Sequence, residues 1–313
     1  MQEVTALKNA IALLDPVNDG RHQLKEGPLE RESIPYVISL PEFGLGAFIY
    51  TWVDRESVAG SVFVIYGPGV GGDPIVEKID GVKMRAGQDF NDWKVGKLHL
   101  QQNLDLMSAR LRVDGDRAGM DLTFDACHPA YAYGSHKDGC PDWFATNRLE
   151  QAGRVTGQLR VGDKTYQVET TGARDHSWGT RDWLVPQHWK WVHAQAGVDL
   201  CVHFCEIYER GRTVLRGYVS CDGLTAEVAS VEVDFTLDEQ YLQKTLDVTL
   251  LDRAGRKTML KGDFFAHFPL LPGPETTLYE SSMSCEINGV AGVGWAEFMW
   301  PTDYLAYLRK KLS

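Results

Sequence analysis

Two tight turns set inside alternating apolar segments constrain this chain most. Residues 154–170 place Val155, Leu159 and Val161 among polar neighbours, turn on Gly162-Asp163, and resume with Tyr166 and Val168. Residues 279–299 do the same about Asn288-Gly289, a dipeptide suited to a type I′ hairpin because both turn positions need positive φ. A repeat of two is the strand repeat, whereas a helix needs 3.6. The same pattern predicts strands over 35–40, 44–53, 58–66, 97–102, 108–113 and 119–126, then over 188–195, 200–207, 213–220 and 231–237. Residues 246–260 read as a further hairpin, turning at Asp252-Arg253-Ala254-Gly255. Within 44–53, Phe48, Tyr50 and Trp52 share one face and Leu45, Ala47, Ile49 and Val53 the other, so both faces should be covered.

Helical spacing occurs only at the ends. Val4, Leu7, Ile11 and Leu14 form a stripe that Asp15-Pro16 should stop. After Pro301, Thr302 can cap a short helix lined by Leu305, Leu308 and Leu312, with Arg309, Lys310 and Lys311 suiting its C-terminus. The chain is therefore expected to be all-β. At 313 residues, two packed barrels or sandwiches are more natural than one. The expected division is a helix and polar arm over 1–33, a first barrel over 34–183 and a second over 184–313. Barrels remove open sheet edges and can hold a hydrophobic ligand in the middle. The two halves also end alike. Gly172, Asp175 and Trp178 in one outgoing strand are matched by Gly292, Trp295 and Glu297 in the other, a weak internal repeat.

A net charge of −11 argues against a nucleic-acid surface, which needs clustered Lys and Arg. No run of 18 apolar residues is present, so no membrane-spanning segment is expected. Residues 1–18 lack the marks of a signal peptide, and the expected location is the cytoplasm. The six cysteines contain no Cys-x-x-Cys pair and read as free buried thiols, with a bridge between Cys127 and Cys140 left open. Gly67-Pro68-Gly69-Val70-Gly71-Gly72 matches a dinucleotide-binding pattern, but Asp73-Pro74 follows where a helix must start, so a plain loop is expected. Cys201, His203 and Cys205 share a strand face. Alternate strand residues lie about 6.5 Å apart, too far for one zinc ion to gather all three.

The densest chemistry lies in Gly172-Ala173-Arg174-Asp175-His176-Ser177-Trp178-Gly179-Thr180-Arg181-Asp182-Trp183. On an extended strand Asp175 and Ser177 face one way, and Arg174, His176 and Trp178 the other. Asp175, His176 and Ser177 thus cannot form a proton relay among themselves. An acid pushed among aromatic side chains has its pKa raised unless Arg174 or Arg181 pairs with it. Such an acid can protonate an alkene, whereas a paired one holds structure. Trp189, Trp191, His193 and Gln195 share another face, as do Val293, Trp295, Glu297 and Met299, and apolar walls with a few polar groups describe a small-molecule pocket.

The twelve-residue segment resembles the signature of the AttH/carotenoid-hydratase-like superfamily. Residues 150–157, Glu-Gln-Ala-Gly-Arg-Val-Thr-Gly, precede it as in that superfamily, and Gly292-Val293-Gly294-Trp295-Ala296-Glu297 resembles its closing hairpin. The resemblance spans roughly residues 30–300 and implies two tandem lipocalin-like (calycin) β-barrels with a short C-terminal helix. It also implies chemistry on greasy unsaturated molecules, hydration of an isoprenoid double bond or [4+2] cyclisation, without metal or redox cofactor. The resulting expectation is a cofactor-independent enzyme, a hydratase (lyase) or cyclase (isomerase), that begins by protonating a C=C bond of an isoprenoid, terpenoid or polyene. Asp175 or Glu297 would donate the proton and His193 or His176 would accept the last one. Trp178, Trp183, Trp191, Trp295, Arg174 and Arg181 would bind substrate. A pericyclic cyclase acting by shape and a lipocalin-type carrier are the alternatives. The expected partner is a hydrophobic small molecule, with a homodimer left open.

Overall fold

The computed structural model describes residues 10–312. Eleven strands build a first sheet: β1 (Glu30–Leu40), β2 (Leu45–Asp54), β3 (Val58–Tyr66), β4 (Ile75–Lys83), β5 (Trp93–Val95), β6 (Leu98–Gln102), β7 (Ser108–Asp114), β8 (Ala118–Ala126), β9 (Tyr131–Ala132), β10 (Asn147–Val161) and β11 (Lys164–Thr180). Their order is β4-β3-β2-β1-β11-β10-β8-β7-β6-β5, with β9 on β10, and the sheet rolls into a ring. Its two edge strands are not hydrogen-bonded to each other. Ser61 Oγ on β3 donates to Val95 O on β5 at 2.9 Å across the seam. The second sheet is a closed eight-stranded barrel of β12 (Pro186–Gln195), β13 (Leu200–Glu209), β14 (Arg212–Cys221), β15 (Leu224–Leu237), β16 (Gln243–Asp252), β17 (Lys257–Gly273), β18 (Thr276–Ile287) and β19 (Val290–Pro301). Helix α1 (Thr302–Leu312) follows, with Leu305 buried and Leu308 half-buried; the side chain of Leu312 lies outside the described residues. The protein is all-β with two tandem lipocalin-like barrels and one short C-terminal helix.

Among the described residues three large apolar clusters and one small one, Leu106, Ala130, Leu149 and Trp178, result. Leu45, Ala47, Ile49 and Val53 of β2 fill the first ring with Trp93, Leu111 and Phe124. Val202, Phe204, Leu246, Val248 and Phe298 fill the second. Between the two, one cluster joins Phe48 of β2 with Trp189, Trp191, Trp295, Cys201 and Cys205, with Tyr50 and Trp52 packed alongside. The two-sided apolar character of β2 thus serves one ring interior and the junction of both. Ser39 Oγ donates to Gly294 O at 2.7 Å and Tyr66 OH meets Ser282 Oγ at 2.9 Å across that junction.

The N-terminal expectation needs correction. Val4 and Leu7 lie outside the described residues, but Ala10 bridges Ala226 and Ile11 N donates to Thr225 O at 3.0 Å, so the stripe is extended at Ile11. A helix this short is marginal alone, and a free carbonyl on β15 offers the backbone a better partner. The polar arm is exposed over residues 25–29 but anchored at Asp19. Asp19, in a 3-10 turn over Pro16–Asp19, is fully buried against the first ring. Gly67 to Gly72 form a short turn, with Pro68–Val70 in 3-10 conformation. All six cysteines are free.

Candidate functional site

The hairpin register builds the site. β10 and β11 turn at Gly162-Asp163, which sets Arg148 opposite Ser177, Glu150 opposite Asp175 and Gln151 opposite Arg174. β11 also pairs with β1, which puts the motif in mid-sheet. The alternation holds. Arg174 and His176 point into the first ring, and Asp175 and Ser177 point toward the second.

The inward set ties down the arm. Arg174 Nη1 reaches Asp19 Oδ1 and Gln102 Oε1, both at 2.9 Å, and its Nε reaches Gln151 Oε1 at 3.0 Å. His176 Nε2 meets Glu32 Oε1 at 2.8 Å, and the same oxygen meets His22 Nδ1 at 2.8 Å. Trp178 stacks on the His22 ring at 3.5 Å. Arg174, His176 and Trp178 therefore do not line the cavity between the two rings; the pleat turns them away from it and the arm covers them.

The outward set opens on a cavity of about 180 Å³ between the two rings, not inside either one. Apolar side chains occupy both ring interiors, and this space lies between their outer faces. Phe48, Tyr50, Trp52, Phe144, Trp183, Trp189 and Trp191 supply aromatic walls, and Arg31, Arg148, Asp175, Arg181 and Glu297 enter among them. Gly60 makes room for one wall, since a Cβ there would run into the Trp52 ring. Of the expected residues, Asp175, Glu297, Arg181, Trp183 and Trp191 converge here. His193 lies one layer deeper, its Nε2 3.0 Å from Glu150 Oε2 and its ring stacked on His203 at 4.3 Å. Trp295 stands behind Trp191, edge to face at 4.8 Å, with Nε1 donating to Tyr66 OH at 3.2 Å.

Sequence reasoning missed Arg148, Glu150 and Glu280. Arg148 Nε meets Glu150 Oε1 at 2.5 Å and its Nη2 meets Asp175 Oδ2 at 2.6 Å, so Arg148 is the direct ion-pair partner expected of Arg174 or Arg181. Glu280 is the cross-strand neighbour of Glu297 in the β18–β19 hairpin, and both of its carboxyl oxygens are buried without a hydrogen-bond partner among the described residues. Trp189 Nε1 also donates to Glu297 Oε1 at 2.6 Å.

Four buried carboxyls thus gather near Arg148, which pairs directly with only Glu150 and Asp175, and burial favours the neutral form of an unpaired acid. Burial pushes Glu150 up, but Arg148 and His203, with the His193 hydrogen bond, outweigh it and hold this carboxyl at about 2. Glu150 also accepts from Trp191 Nε1 at 3.0 Å. Asp175 goes the other way. Burial raises it to about 8, with Glu150 and Glu297 adding to the rise against the pull of Arg148 and Arg181. Burial raises Glu297, and burial together with Glu297 lifts Glu280 well above the usual range. The direction is the same for Asp175, Glu280 and Glu297: burial favours the protonated carboxyl.

Two groups bring possible metal ligands within 4.8 Å of one another: His22, Glu32 and His176, and Glu150, His193 and His203. No metal was expected here. In the second group the Arg148 guanidinium already occupies Glu150, and Tyr133 OH lies 3.0 Å from His203 Nε2. Cys201 and Cys205 belong to neither group.

The fold has known counterparts. Kievitone hydratase from Nectria haematococca superposes with a TM-score of 0.60 at 12% identity, covering 93% of this chain and 94% of that one. CghA with Sch210972 gives 0.63 at 12% identity over 89% and 90%. An AttH candidate from Nitrosomonas europaea gives 0.57 at 14% identity over 92% and 98%. These likenesses establish the fold. Comparison with curated proteins finds no sequence match. A family model described as a domain of unknown function, DUF7064, matches residues 15–302, and by that match the chain belongs to the DUF7064 family.

Proposed function

We propose that the protein is a cofactor-independent enzyme that protonates a C=C bond of a hydrophobic unsaturated small molecule and thereby hydrates or cyclises it. The observation that carries this reading is Asp175. It is 2% exposed and lines an aromatic cavity, and burial, with Glu150 and Glu297 adding to it, raises its pKa to about 8 against the pull of Arg148 and Arg181. In hydration, the Asp175 proton passes to one alkene carbon, water adds to the other, and the proton that water releases returns to the Asp175 carboxylate. In cyclisation, a second double bond replaces water as the nucleophile, and the cation that this leaves is quenched when an adjacent C–H proton passes to the Asp175 carboxylate. Glu297, backed by Glu280, is the second acid within the cavity. Two fold neighbours support the chemistry by name: one is a hydratase, and another was solved with the small molecule Sch210972.

His193 and His176 are placed to orient Glu150 and Glu32 and not to touch substrate. Native mass spectrometry of copurifying ligand identifies the substrate, and Asp175→Asn and Glu297→Gln are then assayed with it. General acid catalysis contributes about 10²- to 10⁴-fold, and the responsible variant should lose that much turnover. Undiminished turnover by both folded variants would end this reading.

A further inference from the structure

Two guanidinium groups on the cavity wall lack an anion. Arg181 is 6% exposed, and among the described residues it forms no ion pair. Its Nη2 donates to the hydroxyls of Ser177 and, at 3.4 Å, Ser33, while its Nη1 is buried without any partner. Arg31 stands two residues from Ser33 on the same face of β1. Its guanidinium lies 4.7 Å over the Trp52 ring, and its Nε is buried without a partner. Both arginines line the cavity. A guanidinium taken out of water normally has a carboxylate or phosphate against it, because the desolvation cost is several kcal/mol per ion. Arg148 meets that condition with Glu150 and Asp175. Arg181 has only neutral hydroxyls.

The aromatic walls point the same way. Arg148 covers Trp191 at 4.6 Å, Arg31 covers Trp52 at 4.7 Å, and Arg181 covers Phe144 at 5.1 Å. Ring faces already holding a cation have little attraction left for a developing carbocation. They sit in a field that favours negative charge on the ligand.

We infer that the ligand of this cavity is not a plain hydrocarbon but an unsaturated amphiphile carrying an anionic oxygen, a carboxylate or a phenolate or enolate, seated on Arg181 and Arg31. This rests on the proposed function for its unsaturated part and adds the head group. With the head on Arg181, the chain of the ligand lies along Trp183, Trp189 and Leu278, which leads it past Glu297.

The test is by binding alone, so its outcome is independent of which acid is catalytic. Two probe pairs are titrated by fluorescence or absorbance: cis-parinaric acid against its methyl ester, and 4-hydroxychalcone against 4-methoxychalcone. A charge-assisted contact made out of water should favour the acid of at least one pair by about tenfold to a hundredfold. The favoured pair identifies the head group, and a bound chalcone phenolate also announces itself by a red-shifted absorbance. Arg181→Met should reduce that preference to near unity while leaving the neutral partner's affinity in place, and Arg181→Lys should keep part of it. Should Arg181→Met fail to fold, the wild-type comparison still decides, with Arg31→Met as the second variant. Equal affinity for acid and neutral partner in both pairs overturns the inference, as does an equal loss of both on replacing Arg181. Loss of turnover in Asp175→Asn with no acid preference would leave the enzymatic reading standing and remove only the head group.

Discussion

Asp175 and Asp19 are buried aspartates facing opposite sides of one strand, and their arginines make them different. Asp175 must share Arg148 with Glu150, and burial leaves it raised to about 8. Its acid form is the reactive one, so kcat/KM should be level below that value and fall as pH rises through it. A profile flat from pH 6 to 10 would exclude Asp175 and favour catalysis by shape. Asp19 instead has Arg174 as partner, with both side chains fully buried. Removing one member of such a pair leaves an uncompensated charge. Asp19→Ala should cost roughly 3–5 kcal/mol. Urea denaturation measures it, and a loss below about 1 kcal/mol, the scale of an exposed pair, would show that the arm is not locked.

Hairpins decide which carboxyls meet. The Asn288-Gly289 turn fixes the β18–β19 register and sets Glu280 against Glu297. Glu280 is raised well above an unfolded glutamate near 4.3, so the unfolded chain releases this proton first and stability falls as pH rises between the two values. Glu280→Gln cannot ionise. Its melting temperature relative to the wild type should therefore climb from pH 4 to pH 8; a constant difference would show that Glu280 carries no proton in the fold. This pairing was legible. Counting outward from Asn288-Gly289 reaches Glu280 opposite Glu297, and counting outward from Gly162-Asp163 reaches Glu150 opposite Asp175. Both turns and the facing of Asp175 follow from period two, yet the step from turn to partner is easily passed over. Arg148, the residue that links the carboxyls, lies among polar neighbours with no pattern of its own. Strands β4 and β5 were illegible for a different reason. β4 is a largely exposed edge strand and β5 has three residues, so neither carries enough alternation to stand out.

At the scale of the whole molecule, the cavity belongs to neither ring. The sequence supports barrels, and barrels suggest a ligand in the middle, but Trp93, Phe124 and Leu111 fill one interior and Phe204, Leu246 and Phe298 the other. Outer faces of β1, β2, β10 and β11 meet outer faces of β12, β18 and β19, and their aromatic side chains leave the only space lined by both the acids and the free arginines described here. A ligand in that space touches both rings at once, so it should tighten both. Hydrogen exchange of the full chain with and without cis-parinaric acid checks this. Protection should rise together in residues of β1, β2 and β11 and in β12 and β19, with β6 and β16, remote from the junction, unchanged. Protection confined to the strands of one ring would place the ligand inside that ring. It would also remove Asp175 from the reaction, because Asp175 faces out of the first ring and is not part of the second.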